Sequence, residues 1–470
     1  MDILILYFKK LSFNKTIRLI WFQILVLLCI IPSVFAILHA PIDPDSAYYL
    51  SIIERMNDGL FPYIDFNFSY APFVFYLMLF LKKVFSIGIN YEFFLTIHFL
   101  FQFFCGYFIY KISYLMIGRK DFAFYSSILF IITSHWYEGN VFLLETPSLF
   151  FGLTSIYLSL KYPNKIFVFL GIGLLVSISF LSKQYGLGFL GLIIFIITYN
   201  LKKWKQIGFL LIGFLLPIVV CFILWGIKFS NIFFGDYGIQ STLIEGCFAI
   251  FNRLCYFFYR IFPVLLIGIF YLSFILKNST KTDSRNITFL ILGILGFMLQ
   301  FFFAPFNHYF LYIIPFASIL SFLILSHITK RKWLYSVFLI FTVILSIYST
   351  YYNRVYKIYF KHQELKEGQY ILAQEILKKV DKSKTLYIID IMLIPQYYLT
   401  NMIPPNIKTI GYSFGKALNQ QTHLKQITTA NYILKYKLNY NEFNLNTLDV
   451  SRALQSKKKY YLDSQVNLYK

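Results

Sequence analysis

Two aspartates stand close together in the stretch "PIDPDSAYYL" (41–50), directly after an apolar run that ends at position 38. A carboxylate held at a membrane surface can take the proton of an acceptor hydroxyl or hold a cation, and there it meets a lipid-linked reactant at headgroup depth. Asp43 and Asp45 are therefore candidate catalytic acids, with Asp45 as general base. The same spacing suits a solvated loop in which Asp45 caps a helix beginning at Ala47. Further along, Glu138 and Glu145 follow His135, Trp136 and Tyr137. Acids beside aromatic rings can hold and stack a sugar, and Trp136 and Tyr137 serve equally as an interfacial aromatic belt.

A phosphate leaving group calls for cations. Lys183 falls in a segment that the loop charges place on the outer side, where a lysine gains nothing for topology. An ammonium there can neutralise a departing phosphate, or it can snorkel at a helix end. His308 and Tyr309 lie at a tight outer turn between two apolar runs, and Arg253 and Arg260 lie near the outer end of another. All four are candidates for the donor phosphate, and a lone histidine at such a turn is as readily structural.

The run "DPDSAYYLSIIERMNDGLFPYIDF", followed by "YAPFVFYLMLFLKKVFS", resembles the first-loop signature of GT-C integral-membrane glycosyltransferases. The likeness is to their protein O-mannosyltransferase-like and lipid A aminoarabinose transferase-like branch, glycosyltransferase family 39. In that branch an acidic motif follows the first span, then a Gly-x-x-Pro-Tyr element, here Gly59 to Tyr63, then a proline-led aromatic helix. Three further matches follow in order: Glu145-Thr-Pro147, "FLSKQYGLG" (180–188) and "NHYFLYIIP" (307–315). The resemblance covers most of the first 350 residues. It implies a sugar donor on undecaprenyl or dolichyl phosphate, inversion at the anomeric carbon, and interfacial helices in the first outer loop. It implies Asp45 as base, Glu145 orienting the acceptor or a cation, and Lys183 on the leaving phosphate. Two positions depart from the pattern. Ser46 stands where the family usually has a second carboxylate, and Glu145 stands where it often has Asp, which leaves a divalent cation and the substrate open.

The elements that must position these residues are written in the composition. Of 470 residues, 58% are apolar and 14% charged, which excludes a soluble domain. The net charge of +22 is carried mostly by short loops and the last quarter of the chain, without a basic stripe interleaved with stacking aromatics, so no nucleic-acid partner is expected. A strand followed by a Gly-rich phosphate loop is absent too, which argues against a nucleotide-sugar donor. The five cysteines, Cys29, Cys105, Cys221, Cys247 and Cys255, lack metal or disulfide spacing and read as thiols.

Apolar runs of spanning length read at roughly 17–38, 91–117, 121–137, 141–160, 166–182, 184–200, 207–229, 255–276, 287–305, 307–327 and 333–352, about eleven spans. Lysines 9, 10 and 15 and Arg18 before the first span place the N-terminus in the cytosol. The run 71–87 has only about eleven apolar residues before Lys82-Lys83, too few to cross, so it is expected to lie at the outer interface. Counting it as a span would put the Lys- and Arg-rich loops outside. Residues 1–352 thus read as the membrane module, with a first outer loop at 39–90, and 353–470 as a small α/β domain outside the cytosol. Within it, 361–380 has helical periodicity and 385–390 reads as a buried strand. The expected fold is an all-α polytopic membrane protein of GT-C type in the plasma (inner) membrane. A transporter or flippase for a lipid-linked glycan is the rival reading, and an O-antigen polymerase or ligase another. A transporter would place ionisable groups at mid-bilayer, whereas the acids here gather at the outer rim. Lipid A, another envelope glycan or a protein side chain would all serve as acceptor.

Overall fold

The computed structural model describes most of residues 30–235, then 281–299, 307–328, most of 363–402, 427–436 and parts of 454–470. The chain forms two compact units, each assembled from distant segments: Met1–Ile37, Thr96–Val220 and Ile239–Lys357 in the first, and Leu38–Leu95, Cys221–Gly238 and Ile358–Lys470 in the second. The sequence reads as two consecutive domains. The second unit holds Leu38–Leu95 together with Ile358–Lys470.

In chain order the described helices are α1 (Pro44–Asn57), α2 (Phe73–Phe85), α3 (Tyr91–Ile117), α4 (Lys120–Ser134), α5 (Glu145–Lys161), α6 (Val168–Ser182), α7 (Leu187–Phe195), α8 (Lys205–Gly235), α9 (Lys281–Met298), α10 (Ile314–Ile328), α11 (Gln363–Lys379) and α12 (Pro395–Thr400). Among the described residues two helices are long and apolar enough to cross a bilayer alone, Tyr91–Ile117 and Lys205–Phe229. The other expected spans that are described form shorter α segments, several of them continued by 3₁₀ or π turns. Gln184–Gly186 and Ile196–Leu201 extend α7 at its two ends, and Asn307–Tyr312 precedes α10. The expected spans at 255–276 and 333–352, and most of the first, lie outside the described residues. Helix α2 has 13 residues, about 20 Å at 1.5 Å per residue and short of the ~30 Å hydrocarbon core.

Unit one is held by small residues and hydroxyls that let helices approach closely. A Cβ on Gly173 of α6 would lie 2.1 Å from the Leu210 carbonyl of α8, and one on Gly213 would lie 2.1 Å from the Leu170 carbonyl. Only glycine fits at this crossing, as at small-residue helix interfaces in lipid. Helices α5 and α6 pack as an antiparallel hairpin. Ser148 Oγ donates to the Ser179 carbonyl at 2.9 Å, and Ser179 Oγ returns a bond to the Ser148 carbonyl at 2.7 Å.

Unit two contains a four-stranded sheet in the order β1 (Leu386–Ile388), β2 (Tyr432–Tyr436), β4 (Val466–Tyr469), β3 (Lys459–Tyr461). β1 pairs with β2 in parallel and the other pairs are antiparallel. Its side chains alternate as strand geometry demands. Leu386, Ile388, Leu434 and Leu468 share a core with Ile376 and Tyr397, while Tyr387 and Ile433 face a second cluster with Ile427. The helix and strand expected at 361–380 and 385–390 appear as α11 and β1.

Candidate active site

Asp43, not Asp45, caps the helix. Pro44 takes the first helical position, where its missing N–H costs nothing. The Asp43 carboxylate accepts from Asp45 N at 2.9 Å, Ser46 N at 3.2 Å and Ser46 Oγ at 2.5 Å. The expected cap at Asp45, with a helix from Ala47, is thus corrected by two residues, because a proline at position 44 lets the helix start earlier. Asp45 lies in the first turn and is partly exposed. Asp43→Ala is expected to lower stability by about 1 kcal/mol, read as a small drop in thermal midpoint, whereas Asp45→Ala should not remove the cap.

The loop carrying this pair is fastened by α11. The Gln369 side-chain amide donates to the Ile42 carbonyl at 2.8 Å and accepts from Ile42 N at 3.0 Å, a two-bond clamp one residue before the cap. Lys366 Nζ donates to the Leu38 carbonyl at 3.1 Å and meets Glu92 at 2.8 Å. On the other side, Tyr49 of α1 packs edge-on against Tyr70 and Phe75, with ring centroids 5.3 and 5.8 Å away. The Gly59–Tyr63 element forms the turn after α1, with Gly59 at φ +90 and Tyr63 at φ +65. Tyr63 also packs against Trp225 and Phe229.

In unit one the structure brings together three residues that the sequence presents apart. Glu145 opens α5 and Lys183 follows the last residue of α6, so the hairpin sets them level. The Ser148–Ser179 bonds lie about one turn below and fix that register. Lys183 Nζ is 3.0 Å from Glu145 Oε1, and the side chains are 3% and 0% exposed. His308 Nε2 lies 3.7 Å from the same oxygen. Glu145 Oε2 has no hydrogen-bond partner among the described residues. Lys183 Nζ also sits 5.5 Å from the Tyr309 ring centre, and Tyr309 stacks edge-on between Tyr185 and His308. A buried ion pair of this kind has no strong stability rationale, since desolvating two charges costs about what their attraction returns.

Two further positioning residues carry little signal in the sequence. His98 of α3 meets the Gly139 carbonyl through Nε2 at 3.2 Å and accepts from Leu143 N through Nδ1 at 3.4 Å. Gln102, four residues on, donates to the Gly139 carbonyl at 3.3 Å. Together they shape the loop that leads into Glu145. A histidine and a glutamine one turn apart in an apolar helix give the only hint, and it is a weak one.

The remaining candidates part company. Tyr137 is fully buried against Phe310, with centroids 5.1 Å apart, so it cannot stack on a sugar or form an interfacial belt as expected; its 3₁₀ turn rotates the ring inward. Glu138, Arg253 and Arg260 lie outside the described residues, as does the Trp136 side chain. Among the described residues no three of His, Cys, Asp and Glu gather as metal ligands.

Neither the protein-family models nor the curated protein sequences match this chain. Solved structures do. Apo ArnT from Cupriavidus metallidurans aligns with TM-score 0.63 over 96% of this chain and 97% of its own, at 12% identity. The same protein bound to undecaprenyl phosphate aligns with TM-score 0.64, at the same identity and coverage. The chain has the fold of ArnT. That is the fold which the first-loop motifs resemble, and its nearly full coverage of both chains extends the likeness past the motifs into the C-terminal segment. An Archaeoglobus fulgidus oligosaccharyltransferase aligns more loosely, with TM-score 0.47 at 13% identity, over 88% of this chain and 69% of its own.

Proposed function

We propose that the protein transfers a sugar from a polyprenyl-phosphate carrier to an acceptor on the non-cytoplasmic face of the membrane. The observation that carries this reading is the buried Lys183–Glu145–His308 cluster at the helix ends of a GT-C fold, a fold that ArnT uses in binding undecaprenyl phosphate. An ammonium carries three donors and can serve Glu145 and a phosphate oxygen together. As the glycosidic bond breaks, negative charge builds on the phosphate, and a cation already placed in a dry site stabilises it without reorganisation. Glu145 holds Lys183 in place and His308 supplies a second donor when protonated. Asp45, relieved of capping by Asp43, takes the proton from the acceptor hydroxyl while the acceptor oxygen attacks the anomeric carbon and the bond from that carbon to the phosphate oxygen breaks. Residues 1–352 form the membrane module of about eleven spans, 71–87 lies along the outer interface, and the C-terminal segment lies outside the cytosol.

Purified protein in detergent should consume a polyprenyl-monophosphate sugar and release polyprenyl phosphate with no nucleotide present. Turnover with a nucleotide sugar alone, in lipid free of prenyl phosphates, would overturn the donor assignment.

A further inference from the structure

Unit two contains a second polar pocket, some way from the aspartates. Its volume is about 200 Å³, and Glu54, Arg55, Asp58, Tyr397 and Asn401 line it, with Leu60 at its wall. Arg55 lies ten residues beyond Asp45 on α1, about 15 Å along the helix axis. It is 6% exposed, and its Nε has no hydrogen-bond partner among the described residues. Among the described residues no acid closes on it as an ion pair. The Tyr397 hydroxyl accepts from Ile388 N at 2.9 Å and keeps its own proton to give. Burying a guanidinium with an unmet donor is costly unless something arrives to meet it.

The chemistry of the walls narrows what that is. An inorganic anion would face the carboxylates of Glu54 and Asp58, and a metal cation would face Arg55. A neutral polyol both gives and takes hydrogen bonds at every hydroxyl, which suits a wall of guanidinium, phenol, amide and carboxyl groups. Burial, with Asp58 nearby, raises the Glu54 carboxyl to about 7 against the pull of Arg55 and Lys82, so near neutral pH it can donate as well as accept. The volume is below the ~300–1,000 Å³ of a drug-sized site and fits a single polar ring.

We propose that this pocket binds one sugar residue of the acceptor, held as a neutral polyol by Arg55, Tyr397 and Asn401. The proposal rests on the glycosyl-transfer reading and deepens it. At three turns from Asp45 the bound residue is an outer unit of a longer acceptor glycan, not the sugar that reacts. The acceptor class is thereby an oligosaccharide or a glycolipid with an extended head.

The test uses the full-length protein in detergent without donor. Binding of methyl glycosides of glucose, galactose, mannose and N-acetylglucosamine is followed by saturation-transfer NMR, with inorganic phosphate as competitor. At least one glycoside should bind in the millimolar range, and Arg55→Gln and Leu60→Trp should each weaken it by about tenfold or more. Leu60→Trp fills the cavity while leaving the buried charge in place, so it decides the matter even where Arg55→Gln fails to fold. Absence of binding across the panel, unchanged binding in Leu60→Trp, or displacement by phosphate would each overturn the proposal. Because binding is read without donor, failure here is distinct from failure of donor cleavage.

Discussion

Replacing Lys183 by methionine is expected to destabilise the protein by about 3–5 kcal/mol, because it leaves the Glu145 carboxylate buried and uncompensated. The geometry sets the size. Both side chains are almost wholly buried and 3.0 Å apart, so little solvent screens the loss. His308, at 3.7 Å and charged only when protonated, cannot fully replace the ammonium. The double variant Glu145→Gln with Lys183→Met removes both charges and should recover most of that stability, since a neutral pair in a buried site is often no less stable than the ion pair. Denaturant midpoints of the wild type, both single variants and the double variant complete the cycle. Transfer should behave differently, with both single variants and the stable double variant all strongly impaired. A double variant that is stable and still active would make the pair a structural device and remove it from the phosphate site. An unchanged midpoint for Lys183→Met would show that the carboxylate is compensated by another group.

What the sequence makes legible is what is written in local pattern. The apolar run at 91–117 emerges as α3 over the same residues, since nothing within it breaks a helix. Helix α11 and strand β1 follow their periodicities. Motif order marks Asp45, Glu145 and Lys183, the last a lysine in a segment that the loop charges would place outside. What could not be read is what depends on distance in the fold. Glu145 and Lys183 are far apart in the chain, and only the hairpin locked through Ser148 and Ser179 makes them partners. The cap moved to Asp43 because Pro44 favours the first helical position, a rule that competes with the choice of Asp45. Tyr137 looked like a surface aromatic because composition cannot tell which way a 3₁₀ turn faces. The joining of the first outer loop to the C-terminal segment rests on Gln369 and Lys366, polar residues of an amphipathic helix that look like any solvated face. Arg55 was hidden similarly, as one of many charges in a basic chain.

The central claim is that Asp45 is the base of a transfer reaction, and one measurement bears on it most directly. Donor labelled in its sugar is bound to purified protein, an extract of envelope glycans and lipids from the same cells is added, and single-turnover appearance of label in the acceptor is timed for wild type and Asp45→Asn. The substitution keeps the shape of the side chain and removes proton acceptance. It leaves the cap untouched, because Asp43 supplies it. Label should move to acceptor with stoichiometric release of polyprenyl phosphate in the wild type, and the rate should fall by roughly 10²–10⁴-fold in Asp45→Asn, while donor binding and thermal stability stay close to wild type. A rate within about threefold of wild type, less than ~1 kcal/mol in barrier, would contradict the assignment of Asp45. Donor recovered intact with its sugar still attached, in wild type as in variant, would contradict transfer itself and favour carriage of the lipid-linked sugar.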